Sequence, residues 1–122
     1  MAAGKLALVV DDVEIERERI GGILQEAGWR VCTARSGADA IVRARTEHPE
    51  IIFMDIVMPG MDGFEACRRL AEDPGTRAIP VVFVSTKCQR VDQVWARMQG
   101  GGELIGKPYT AAQVLGALRH AA

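Results

Sequence analysis

The sequence predicts an α/β fold, a doubly wound five-stranded parallel sheet with helices on both faces. Three observations carry this. Short apolar runs alternate five times with stretches of helical spacing, the pattern of successive strand-helix units. The runs Leu6–Val10 and Ile51–Met54 are unbroken rather than alternating, as in strands buried on both faces. Polar residues stand where the runs stop: Asp11-Asp12, Asp55, Ser85-Thr86 and Lys107.

Leu6–Val10 is the first strand. Ile20, Ile23, Leu24 and Ala27 then repeat at i, i+3, i+4 and i+7 and define one face of a helix. Gly28 closes that helix as a residue that tolerates the left-handed region. The second strand is read from Trp29 to Ala34. Ser36 is placed as the N-cap of a helix whose inner face is Ala38, Ile41 and Val42, and Pro49 ends it.

Ile51–Met54 is the third strand, and Pro59, Gly60 and Gly63 stop it. Asp62-Gly63-Phe64-Glu65 reads as a capping box, with Phe64, Cys67 and Ala71 facing inward behind it. Asp73-Pro74-Gly75 is a loop. The fourth strand, Val81–Val84, opens after Pro80, and Val91, Val94, Trp95 and Met98 give the inner face of the helix that follows. Gly100-Gly101-Gly102 is a stop. Glu103–Gly106, with only Leu104 and Ile105 apolar, reads as a weak edge strand. Thr110 to Gln113 caps a last helix that faces inward through Ala111, Val114, Leu115 and Leu118. Right-handed crossovers follow from the parallel sheet. The pattern is compatible with the flavodoxin-like strand order 2-1-3-4-5.

The 122 residues fit one domain, read as 1–122. With 15 Lys and Arg against 16 Asp and Glu, the net charge of −1 makes a nucleic acid or an anionic membrane a poor principal partner. No apolar run reaches the roughly 18 residues of a membrane span, and Met1–Lys5 lacks the core of a signal peptide. A cytoplasmic protein is expected. Cys32, Cys67 and Cys88 are an odd set without metal-ligand spacing and are read as reduced. His48 and His120 fall near helix ends, where interaction with the helix dipole is the ordinary role.

In open α/β sheets ligands bind beyond the carboxyl ends of the strands. If strands 1 and 3 are neighbours, about 4.8 Å apart, Asp11, Asp12 and Asp55 crowd one cleft. Carboxylates that close need a cation or raised pKa values. Mg2+ suits hard oxygen ligands and a phosphate oxygen. Lys107 adds a fixed positive charge and Ser85 or Thr86 a hydroxyl, which together describe a phosphoryl site. No Ser–His or Cys–His pair stands at these strand ends, so Asp55, on the most buried strand, is the best-placed nucleophile for an aspartyl phosphate, with Asp11 and Asp12 left to hold the metal. The bland readings make Asp11-Asp12 helix caps, Lys107 a solvated charge and Ser85 a strand end. All of them must hold together for the site to vanish.

The chain resembles a receiver domain of two-component response regulators, the CheY-like fold, from Lys5 to the last helix. The resemblance rests on Asp11-Asp12, on Asp55-x-x-Met58-Pro59-x-x-Asp62-Gly63, on Ser85-Thr86 and on Lys107-Pro108. It implies Asp55 as phosphoacceptor, and Asp12 and Asp55 as ligands of Mg2+ (or Mn2+), with Asp11 assisting largely through water. It further implies the Val57 backbone carbonyl as another ligand, Ser85 as the switch hydroxyl, Lys107 as the phosphate-pairing lysine and a cis Lys107-Pro108 bond. Ser85–Gln89 and Asp92–Trp95 are similar to the PilH type of twitching-motility regulators.

The expected function is a phosphorylation-dependent switch rather than a turnover enzyme. A histidine kinase or phosphotransfer domain donates the phosphoryl group, and a downstream target protein reads the result. The expected state is a monomer, with a helix 4–strand 5–helix 5 face open to weak dimerisation. A phosphate sink for a shared kinase and an unphosphorylated scaffold are the alternatives within the family. An Asp-nucleophile phosphatase needs a second acid where Val57 stands, and Asp11-Asp12 would repel the phosphate of a flavodoxin-like cofactor. Two positions depart from the usual receiver pattern: Leu104 replaces an aromatic residue, and Gly106 replaces a larger apolar one. The resemblance also implies that the side chains two beyond the acceptor and two beyond the switch hydroxyl order a hydrolytic water; these are Val57 and Lys87, which implies slow self-dephosphorylation.

Overall fold

The computed structural model describes residues 5–121. The elements alternate as expected: β1 (Leu6–Val10), α1 (Glu14–Glu26), β2 (Arg30–Ala34), α2 (Gly37–Glu47), β3 (Ile51–Met54), α3 (Gly63–Glu72), β4 (Val81–Ser85), α4 (Arg90–Met98), β5 (Glu103–Gly106) and α5 (Ala111–Ala117), which runs into a 3-10 turn at Leu118–His120. All pairings are parallel and the order is β2-β1-β3-β4-β5. The sheet therefore reverses its winding between β1 and β3, and β5 is an edge.

The unbroken apolar strands feed two cores. Leu8, Val10, Ile52, Met54 and Phe83 point to one face and meet Ala40, Ala44, Ala66, Cys67, Leu70 and Ala96. Ala7, Val9, Ile51, Phe53, Val82 and Val84 point to the other and meet Ile20, Leu24, Val114 and Ala117. Alternation of side chains across the pleat splits one apolar run between two layers. Phe53 has no exposure. Phe53→Ala should cost about 3–5 kcal/mol through lost burial and the cavity left behind. Urea unfolding at unchanged slope measures it, and a loss under about 1 kcal/mol would mean the site collapses to fill the space.

The capping signals at Ser36 and Thr110 are present: Ser36 Oγ accepts from Asp39 N at 3.0 Å, and Thr110 and Gln113 form a reciprocal box. Asp62 caps α3 through Glu65 N at 2.8 Å, without the return bond expected from Glu65. Gly28 has a φ of +92°. Trp29 stays outside β2, because its N–H closes α1 on Leu24 O at 3.1 Å.

The helical periods are right, but several phases are not. In α2 the buried residues are Gly37, Ala40 and Ala44, while Ala38 and Val42 are exposed. In α3 Ala66, Cys67 and Leu70 are buried and Ala71 is exposed. In α5 Val114 and Ala117 are buried, while Ala111 and Leu115 are exposed. The largest departure is α4. Val91, Val94, Trp95 and Met98, expected inward, are 55%, 51%, 48% and 66% exposed, and Asp92 and Ala96 are the buried pair. Small residues let these helices lie close to the sheet, and close approach decides the inner face over hydrophobicity.

Candidate functional site

The reversal between β1 and β3 opens a cleft above their carboxyl ends. Asp55 N donates to Val10 O at 3.0 Å and Asp11 N to Ala34 O at 3.2 Å, so both aspartates continue their strands by one residue. Asp11, Asp12 and Asp55 each offer a carboxylate oxygen, and the three oxygens lie within 4.8 Å of one another. Asp11 is 1% and Asp55 8% exposed, whereas Asp12 lies at the open rim.

Lys107 closes the cleft from β5. Its Nζ donates to Asp11 Oδ2 at 2.8 Å and to Asp55 Oδ2 at 3.1 Å. Burial pulls the Lys107 ammonium down, but the Asp11 hydrogen bond and the charges of Asp55 and Asp11 outweigh it and leave the pKa raised. Burial is also the main cause that raises Asp11, with a smaller push from Asp55; the Lys107 and Val13 hydrogen bonds only partly oppose it. The lysine is therefore a fixed charge, shared by two carboxylates and short of neutralising three.

Asp11 is no helix cap. The N-cap of α1 is Val13, which has no capping side-chain bond; Asp11 Oδ1 accepts from Val13 N at 2.9 Å. Arg17 holds the Asp11 backbone carbonyl at 2.7 Å. The Val57 amide donates to Asp55 Oδ1 at 3.2 Å, and the Val57 side chain is 57% exposed at the rim. Gly63 explains the Asp-Gly of the motif: a Cβ there would overlap the Asp55 carbonyl oxygen, so only glycine lets α3 start against the strand that carries the acceptor.

Ser85, rather than Thr86, is the buried hydroxyl. Ser85 has no exposure and its Oγ accepts from Lys87 N at 3.2 Å; Thr86 is exposed. The Lys107-Pro108 bond is cis, and Lys107 N donates to Ser85 O at 2.9 Å, which ties the hydroxyl strand to the lysine strand. Lys87 Nζ is held at 2.9 Å by Asp92 Oδ1, while Asp92 Oδ2 accepts from Gln89 N at 2.9 Å. The Lys87 hydrogen bond and the Gln89 N–H hold the Asp92 carboxyl below the usual range against its desolvation.

Two residues here escaped the sequence reading. Glu16 stands 3.9 Å from the Lys107 ammonium and accepts from Tyr109 Oη at 3.5 Å, because α1 begins right beside the cleft. Burial, with Glu16 beside it, pushes the Tyr109 phenol up to about 12. Asp92 entered the sequence reading only within the stretch similar to the PilH type, with no role of its own. Its position seven residues after Ser85 was the available signal, but no spacing rule links it to Lys87. The cysteines are all free thiols, and burial pushes Cys67 up to about 12. His48 is a left-handed helix C-cap, and His120 pairs with Glu103 at 2.8 Å.

Hard oxygen donors at this spacing fit a divalent cation of the Mg2+ kind, with Lys107 set to share the charge of an incoming oxyanion. A doubly wound sheet with such an acidic pocket and lysine has the features of a site for a divalent cation and an oxyanion. Residues 7–119 match the response regulator receiver domain, and the chain belongs to that family. Among curated proteins it is 44% identical over 101 residues to Protein PilH of Pseudomonas aeruginosa, covering 83% of this chain and 84% of that one. It is 32% identical over 116 residues to Protein PilG of the same organism, covering 95% and 86%. Among solved structures, the Vibrio cholerae chemotaxis protein CheY4 superposes with a TM-score of 0.91 at 26% identity, covering 98% of this chain and all of that one. The chain is thus a receiver of two-component signalling whose state is set by phosphorylation. No helix among the described residues is long and apolar enough to cross a membrane.

Proposed function

We propose that Asp55 accepts a phosphoryl group from a phosphohistidine of a histidine kinase or phosphotransfer domain. One Asp55 oxygen bonds phosphorus as the P–N bond breaks, and the imidazole leaves with a proton. Asp11, Asp12, Asp55 and the Val57 carbonyl would hold Mg2+ or Mn2+, which when bound would supply positive charge to neutralise the transferring group. Lys107 moves its hydrogen bond from the carboxylate to a phosphoryl oxygen, and Ser85 donates to another. The observation that carries this reading is the Lys107 ammonium bonded to both Asp11 and Asp55, with Asp12 completing the acidic cluster. Mass spectrometry after treatment with acetyl phosphate and Mg2+ tests it: one phosphoryl adduct is expected on the peptide that contains Asp55, and an adduct elsewhere refutes it.

The output is read by a target protein in the cytoplasm, in pilus or chemotaxis-like control. The similarity to PilH and PilG supports the process. The exposed Val91, Val94, Trp95 and Met98 of α4 support a protein-binding face, on which a second copy could also sit weakly.

A long-lived phosphorylated state favours a messenger over a phosphate sink. Val57 offers no hydrogen bond to a hydrolytic water, and Lys87 is engaged by Asp92 and cannot act as a base while protonated. Val57→Asn combined with Lys87→Glu should accelerate loss of the phosphoryl group by about tenfold or more, by positioning that water. Loss unchanged or slowed in the double variant would refute the account; the decay of a radiolabelled adduct measures it.

A further inference from the structure

We propose that Cys88, seated in a notch left by Gly106, is the latch that holds the β4–α4 loop against β5 while Asp55 is unmodified, and that phosphorylation releases it. The proposal rests on Asp55 as the acceptor. Gly106 pairs with Ser85 in the β4–β5 register and directly precedes Lys107. A Cβ at Gly106 would lie 2.8 Å from Cys88 Sγ, so that a side chain at 106 would force the thiol to shift, and 3.4 Å from Cys88 Cβ. The missing side chain at 106 and the thiol at 88 are therefore complementary shapes, one on each side of the contact between loop and strand.

The rest of the loop is fixed at its two ends. At the first, Ser85 O is bound to Lys107 N at 2.9 Å and Ser85 Oγ to Lys87 N at 3.2 Å. At the second, Asp92 holds both the Gln89 N–H and the Lys87 ammonium. A phosphoryl oxygen on Asp55 accepts from the Ser85 hydroxyl and draws Oγ toward the acceptor. When Oγ turns to donate to it, Lys87 N loses the geometry of its acceptor. The Ser85 backbone cannot follow, because Lys107 N pins it. The displacement is taken up by the segment between Thr86 and Gln89, and Cys88 is the point at which that segment meets β5. Leu104, half-buried against the core and without a hydroxyl, gives β5 no polar side chain there to report the change.

Site-resolved alkylation tests the latch. The full chain is treated with iodoacetamide with and without beryllofluoride and Mg2+; peptide mass spectrometry reads each cysteine, and fluorine NMR reads occupancy of Asp55. Loading should raise the Cys88 rate by about fivefold or more, the lower end of ordinary coupling between sites. The rate at Cys67, in the core, should not change. Gly106→Ala fills the notch, so its Cys88 should alkylate at the loaded rate before any loading. If that variant fails to fold, Cys88→Ala replaces it and should accelerate amide exchange across residues 86–89 in the unloaded protein. Loading that leaves the Cys88 rate unchanged overturns the latch alone. A Gly106→Ala chain that keeps the slow rate, or a Cys88→Ala chain with unaltered exchange, overturns it as well. Absence of beryllofluoride binding overturns the reading of Asp55 and the latch with it.

Discussion

Asp55→Ala abolishes the phosphoryl adduct that acetyl phosphate and Mg2+ are expected to leave on the native chain. The effect is all or none because the variant removes the attacking oxygen itself. Asp11, the other buried carboxylate of the cleft, does not replace it: one of its oxygens is held by Val13 N and the other by Lys107. Asp12 is exposed at the open rim, whereas the Lys107 ammonium is bonded to Asp11 and Asp55. Chelation by EDTA should also suppress labelling of the native chain, since Lys107 alone cannot neutralise three acids and an incoming oxyanion. An adduct of one phosphoryl mass that survives Asp55→Ala would refute the assignment. Equal labelling with and without EDTA would refute the role of the metal.

Lys107→Met separates two effects that the lysine normally combines. Without the ammonium, the transferring phosphoryl group loses a preorganised positive partner, and acceptance should slow about a hundredfold. Mg2+ should nevertheless bind more tightly. The lysine competes with any cation for Asp11 Oδ2 and Asp55 Oδ2, which it holds at 2.8 and 3.1 Å. The metal-free variant should also melt lower than the native chain, because buried carboxylates are left facing each other; Mg2+ should recover the loss by binding the folded state. Calorimetric titration with Mg2+ and thermal melts with and without the ion measure both. Weaker metal binding in Lys107→Met would mean that the lysine organises the carboxylates rather than competing for them.

The site was legible because its residues stand at strand ends. Unbroken apolar runs locate the strands, and a chain that repeats strand and helix leaves one end of the sheet for chemistry. Asp11, Asp12, Asp55, Lys107 and one hydroxyl of Ser85-Thr86 could be gathered that way from the sequence. The contacts of the β4–α4 loop could not. Lys87 was placed with Val57 at the hydrolytic water, yet its partner is Asp92. Cys88 and Gly106 are 18 positions apart and carry no pattern that links them; their fit is a matter of a few tenths of an ångström.

Composition, period and strand-end chemistry were enough, from the sequence by itself, to determine the α/β class, the five strands and the polar residues that stand at their carboxyl ends. Those features are local: each depends on residues a few positions apart. Which side of each helix turns inward was decided only by tertiary packing. Period places Val91, Val94, Trp95 and Met98 on one stripe, but it does not say whether that stripe meets the sheet or the solvent. In α4 the answer is solvent, because Ala96 is small enough to lie against the core and Asp92 is drawn in by Lys87 and the Gln89 amide. Hydrophobicity ranks the faces of a helix. Steric fit to the sheet and pairing of buried charge choose between them.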